Sequence, residues 1–347
     1  MKHFKLTYKT VFFLGIVLFL YSPAYAAISG QCANCHTMHD SQNGSNVGAD
    51  GQFSHLLNDS CIGCHTGTNS GGAIPYVLST TEPTYGTDTL AGGNFYWVAS
   101  GLGGNDTKGH NVLGVSSPDT NLAEAPGNPY GCASSCHMSL AVEQTAISGL
   151  GSGCEGCHLE LKHHAPNAAP GEVATEANGY FRFLAGHMSG ANNGVQGIED
   201  SDWEYTKAAG DHNEYLGNAG DHSSSTNSLT TNTMTAYCCG CHGTFHEQVD
   251  SGLWIRHPSD AVIPNSGEYA SYTAYSTQAP VARNTLNGIS ATVTPGTDMV
   301  MCLSCHRAHG SPYADMLRWD YNTQIAGGGG GGSDNTGCFT CHTAKDE

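Results

Sequence analysis

Two thiols three positions apart, followed at once by a histidine, recur six times along this chain. They are Cys32, Cys35 and His36; Cys61, Cys64 and His65; Cys154, Cys157 and His158; Cys238, Cys241 and His242; Cys302, Cys305 and His306; and Cys338, Cys341 and His342. A looser copy, CASSCH, sets Cys132 and Cys136 one residue further apart before His137. With 15 cysteines and 19 histidines in 347 residues, chance supplies roughly 0.04 strict copies. The chemistry that needs this order is c-type haem attachment: the thiols add across the porphyrin vinyl groups and the histidine binds iron from the proximal side. Seven motifs therefore predict seven covalent haems. Paired cysteines also build zinc ribbons, but a histidine directly after every pair, in a chain with an export leader, points to haem. Only Cys239 is left over, and the expectation for it is a thiol packed against porphyrin, with an intermolecular bridge as the alternative.

Seven irons need seven sixth ligands. Eleven histidines remain after the seven proximal ones and His3 are set aside, so every haem can be bis-histidine. Methionines 38, 138, 188 and 316 compete in principle. In CLSCHRAHG, His309 follows His306 by three residues, which places both on one face of a turn. His309 cannot easily pass round the porphyrin edge and is expected to serve a different haem. The same reasoning applies to His39 after His36 and to His246 after His242. The remaining distal candidates are His110, His187, His212 and His257, with His164 preferred over His163 in the doublet. His55 and His222 read as surface residues.

The elements that position these groups must be small. Residues 1–26 carry lysines, the apolar run VFFLGIVLFL and a final A-x-A, the pattern of an export leader cleaved after Ala26. No second apolar stretch follows, so the mature chain, 27–347, is expected to be one domain with no transmembrane segment. That leaves about 46 residues per haem, too few for a large conventional core. With 46 glycines and 12% charged residues, the chain should be mostly irregular and loop-rich, with short helices and little β structure. Haem would supply much of its apolar interior, giving an elongated cytochrome organised around a continuous haem chain. Short helices are expected over 139–147 and 311–319, and a joint at the glycine run 327–332. A net charge of −18 leaves no electrostatic route to nucleic acid. The acidic stretch IEDSDWEY, with Glu199, Asp200, Asp202 and Glu204, reads as a solvated loop ahead of a divalent-cation site.

The motifs GQCANCHTMHDSQNG, GGNFYWV, KGHNV, CHGTFH with IRHPSD, and CLSCHRAHGSPYADMLRW, followed by a final C-x-x-C-H, appear in this order over most of the mature chain. In this it resembles the OmcS-type cytochromes, exported multihaem proteins of metal-reducing bacteria that polymerise into extracellular filaments. It departs from their hexahaem pattern in the middle, where CASSCH and CEGCHLELKHH stand in place of a single site. The resemblance implies an electron conductor at the cell surface, passing charge to other cytochromes or external acceptors. It also implies a head-to-tail homopolymer, an open contact that does not close, in which His39 ligates a haem of the adjacent subunit. A soluble periplasmic carrier would use the same haems without polymerising. A multihaem oxyanion reductase needs an open iron, often marked by C-x-x-C-K, and that motif is absent from the sequence.

Overall fold

The structure is a computed structural model. It describes residues 28, 30–42, 44–46, 53–122, 124–127, 139–143, 152–159, 161, 163–164, 167–186, 194–220, 231–245, 249, 252, 256–326, 336–343 and 345. The leader, the CASSCH motif with Cys132, Cys136 and His137, the candidates His187 and His246, and the glycine run lie outside these residues.

Regular structure is sparse and short, as the composition requires. Among the described residues the longest α-helix is Met234–Cys239, and the other two, Cys61–His65 and Cys302–Cys305, are themselves haem motifs. Outside the described α-helix at Cys61–His65, each described motif closes one helical turn by a backbone hydrogen bond from the histidine to the first cysteine. The N–O distances are 2.8 Å for His36 to Cys32, 2.9 Å for His158 to Cys154 and for His242 to Cys238, 3.1 Å for His306 to Cys302 and 3.0 Å for His342 to Cys338. One such turn puts the two thiols on the same side, since residues three apart are neighbours on a helix. After the turn the chain becomes extended, as at His306, with φ −113° and ψ 160°.

Strands are two or three residues long. A hairpin pairs β1 (Ser41–Gln42) with β2 (Ser45–Asn46). A six-stranded sheet comprises β3 (Val173–Ala174), β4 (Gly197–Ile198), β5 (Glu214–Leu216), β6 (Ala261–Val262), β7 (Ala282–Arg283) and β8 (Met299–Val300), in the order β3-β4-β5-β7-β8-β6, with only β5 and β7 parallel. The apolar interior is divided rather than single. One cluster, with Phe181, Tyr215, Met234 and Met299, lies about the sheet; a second gathers Phe95, Val98, Val112 and Val115; a third gathers Ile263, Tyr272, Tyr275 and Val293.

Of the two helices expected from the sequence, one meets other structure in its described part and one is replaced. Residues 139–143 are turn and coil, and 144–147 lie outside the described residues. Over 311–319 only the 3-10 turn Ala314–Met316 forms, with Asp315 and Met316 at φ +56° and +58°. The carbonyls that a helix would use there are claimed from outside: His306 Nδ1 is 2.7 Å from Asp315 O, and Arg307 N donates to Met316 O at 2.9 Å.

The acidic stretch is not a solvated loop. Asp200 and Glu204 are each 3% exposed. Asp200 accepts backbone N–H bonds from Asp202 at 3.1 Å and Glu204 at 2.7 Å, while Glu204 accepts two at 3.0 Å from Asn213. Among the described residues no acidic, histidine or cysteine cluster has the form of a metal site. The carboxylates fold a turn instead, and burial pushes the Asp200 carboxyl up to about 6.

Glycine matters most where the GGNF segment meets the last histidine pair. His309 N donates to Gly92 O at 2.7 Å and Asn94 N to Gly310 O at 3.1 Å. Gly93 has φ +86°, and a Cβ there would stand 2.0 Å from Gly310 O. The approach that seats His309 therefore requires a residue without a side chain.

Two predictions follow from these contacts. Gly93→Ala should lower unfolding stability by about 2 kcal/mol or more, through left-handed strain plus the clash, and should disturb the visible haem spectrum; stability and spectrum unchanged from wild type would contradict this. Because the folded Asp200 carboxyl titrates above its unfolded value of 3.8, its contribution to stability should decline as pH rises from about 4 to about 6. Denaturation of Asp200→Asn across that window should lack this decline.

A candidate multihaem centre

Five of the six described motif histidines are fixed by their Nδ1. The ring atom lies 2.8 Å from His55 O in His36, 2.8 Å from Pro75 O in His65, 2.9 Å from Arg182 O in His158 and 2.8 Å from Pro126 O in His242. His306 repeats this with Asp315 O, and His342 Nδ1 lies 3.4 Å from Glu268 Oε1. A backbone carbonyl can only accept, so Nδ1 carries the proton and the Nε2 lone pair is left for a metal. Burial also favours the neutral, ligand form of the His158, His306 and His342 rings, pushes His242 down to about 4, and pushes His309, outside the motifs, down to about 3.

Four histidine pairs from distant parts of the chain face each other. Ring centroids are 6.0 Å apart for His36 and His164, 6.1 Å for His110 and His242, 6.2 Å for His158 and His309, and 6.3 Å for His257 and His342. Two imidazole nitrogens at about 2 Å on opposite sides of one metal ion separate their ring centroids by about 6 Å. The donor set and its spacing thus fit haem iron. The distal members His110 and His257 have Nδ1 at 2.6 Å from Ala308 O and 2.9 Å from Pro258 O. His309 packs on Phe95 with centroids 4.7 Å apart.

The thiols of different motifs also meet. Cys61 and Cys154 are in hydrogen-bond contact, as are Cys238 and Cys302. Cys157 is affected through space by Cys241, Cys64 by Cys35, and Cys305 by Cys338 and Cys341. The described motifs therefore lie in one spatial succession, beginning at 32, 61, 154, 238, 302 and 338. Irregular sequence spacing becomes a continuous row.

Of the distal candidates, the structure brings His110, His164, His257 and His309 opposite motif histidines. His163, the other member of the doublet, lies within electrostatic range of His65, and burial lowers it. His39 is exposed and makes no hydrogen bond among the described residues. His212 departs from the expectation of a distal ligand. Its side chain is fully buried, with Nδ1 3.2 Å from Ala208 O, Nε2 3.3 Å from Glu214 Oε1 and its ring stacked on Tyr275 at 3.5 Å. Both nitrogens are engaged by oxygens of the polypeptide. Cys239 is buried beside Ala236. The carbonyl acceptors at His55, Pro75, Pro126, Arg182 and Asp315 had no sequence signal, since any residue supplies a carbonyl.

Residues 294–347 match the family model described as a doubled CXXCH motif. The chain is 27% identical over 369 residues to the C-type cytochrome OmcS of Geobacter sulfurreducens, spanning 86% of this chain and 81% of that protein. Its backbone superposes on the Outer Membrane Cytochrome S filament of the same organism with a TM-score of 0.54 at 22% identity, covering 93% of each chain. The chain has the OmcS fold. A second OmcS structure, determined as nanowires by cryo-electron microscopy, gives a TM-score of 0.52 with the same identity and coverage. The loop-rich architecture is thus that of the OmcS subunit, with short helices, little strand and a row of haem motifs.

His110→Ala and His212→Ala should separate a ring aimed at a metal from a ring spent on packing. The first should convert one haem to high spin by electron paramagnetic resonance. The second should keep the low-spin spectrum and lose about 1–3 kcal/mol of stability through the loss of a fully buried ring and its hydrogen bonds. A high-spin haem in the His212 variant would reverse the assignment.

Proposed function

We propose that this chain is an exported conductor of electrons that carries seven haems c, ligates them by histidine on both faces and polymerises into an extracellular filament. The carrying observation is the set of four opposed histidine pairs, each joining a motif histidine to a histidine from another segment. Each haem supplies a one-electron iron couple, and two histidine ligands keep its potential low. The polypeptide orients the rings, excludes water from the buried ones and holds neighbouring motifs in contact. His36 would pair with His164, His242 with His110, His158 with His309 and His342 with His257. On this reading His306 and His309 serve different haems, so one strap of chain ties two sites together. The looser CASSCH would carry the seventh.

The relatives named for OmcS filaments and nanowires support export beyond the cell surface and self-assembly. Among the described residues no helix is long and apolar enough to cross a membrane. His39 is solvent-facing next to Met38, which is 74% exposed, a position suited to a ligand for the neighbouring subunit's haem. Four irons are each given two histidines, and the sequence holds enough further histidines for the rest, which supports electron transfer over catalysis at an open iron.

The test is to shear the surface of producing cells, image the extracellular fraction by cryo-electron microscopy and weigh the intact protein. Seven haem additions and a filament with an unbroken haem row are expected. His39→Ala should abolish filaments while every haem stays attached. Monomers confined to the periplasm would assign a soluble carrier instead, and six additions would remove CASSCH from the haem sites.

A further inference from the structure

Five of the described motif histidines aim Nδ1 at a backbone carbonyl, and His342 does not. Its Nδ1 is buried, makes no hydrogen bond among the described residues, and has a carboxylate oxygen, Glu268 Oε1, at 3.4 Å. The neighbouring carbonyl is already taken: Glu268 O accepts from Thr343 N at 3.1 Å and also from Thr343 Oγ1. The 3-10 turn Gly267–Tyr269 therefore meets the last motif three times. Its carbonyl holds the residue after His342, its carboxylate faces the ring nitrogen, and Tyr269 packs T-shaped on the imidazole with centroids 5.0 Å apart.

The difference is one of charge as well as place. A peptide carbonyl is a neutral acceptor, whereas a carboxylate is an anion and makes the stronger, charge-assisted hydrogen bond. A bond from Nδ1–H to an anion pushes electron density through the imidazole to Nε2, which makes the ring a stronger donor to iron and stabilises the ferric form. The Glu268 side chain is 18% exposed, so water screens its charge only in part. Lys345 opposes it from the solvent side, with Nζ 3.4 Å from the same Oε1 on a side chain 55% exposed. So exposed a lysine offsets a fraction of the carboxylate's charge. A formed N–H···O bond measures about 2.7–3.2 Å, and the 3.4 Å gap would close as His342 takes up its iron.

We propose that Glu268 is a positioning residue for the last haem, accepting a hydrogen bond from His342 Nδ1 and holding that haem's potential below the value a backbone carbonyl would set. This rests on the reading of His342 as a proximal ligand and adds a charged control to one haem of the row. The row is then uneven at one end. The haem on Cys338 and Cys341 holds an electron less tightly than the same site would with a neutral acceptor, and Lys345 sets how much less.

Spectroelectrochemistry of the haem-loaded protein tests this. Glu268→Gln keeps an acceptor oxygen and removes the charge, so it should shift one haem positive by about a tenfold change in its oxidised-to-reduced ratio, about 59 mV for one electron. Lys345→Gln should shift the same haem negative by less. A purely structural contact would not move the potential in opposite directions, and a Glu268→Gln protein with unchanged potentials would refute the proposal. His257→Ala identifies the haem, because it should make the partner of His342 high-spin, and in the double variant the Glu268→Gln shift should fall on that high-spin haem. A shift on any other haem would overturn the role of Glu268, whereas no high-spin haem in His257→Ala would overturn the ligand pairing beneath it. Should Glu268→Gln not fold, a cryo-electron microscopy map of the wild-type protein decides: a Glu268 carboxylate oxygen within hydrogen-bond distance of His342 Nδ1 is expected, and a water or a backbone carbonyl there would sink the proposal.

Discussion

A histidine Nδ1 bonded to a backbone carbonyl from a distant segment is the contact on which the rest of this structure depends. His65 reaches Pro75, His158 reaches Arg182, His242 reaches Pro126 and His110 reaches Ala308. Each bond does two things at once. It fixes the tautomer and the aim of the ring, and it pins a loop that has too little regular structure to hold itself. In a chain whose strands are two or three residues long, such ties replace the ladders of an ordinary fold. They also explain why 311–319 is not a helix: its carbonyls are committed to His306 and Arg307.

Separate small cores suit this arrangement. A single hydrophobic centre would need long elements to enclose it, whereas three modest clusters leave room between them for flat apolar cofactors. The thiol contacts between successive motifs trace where those cofactors would lie, and buried rings such as His309 are kept neutral by the same dry surroundings. Several buried charged groups in this interior answer one another. Glu214 accepts from Arg283 and Ser290 and contacts His212, and Asp298 meets the other end of Arg283.

The similarity to OmcS accounts for the architecture at modest identity. Among the described residues the strands are two or three residues long, so that shared architecture rests on turns and loops.

The sequence by itself determined the attachment chemistry, the sparse secondary structure and the surplus of histidines, because each depends on residue type and short spacing. It also indicated that His309 would not share an iron with His306, an argument from three residues of chain. Only the tertiary structure decided which distant rings face each other, that His164 faces His36, and that His212 is committed to Glu214 and Tyr275. The acidic run likewise read as solvated because its charges are visible in sequence, whereas the backbone N–H groups that Asp200 accepts are not. Pairings across 100 or more residues, such as His110 with His242, depend on where loops return. That is set by backbone carbonyls and glycine approaches that carry no residue-specific mark.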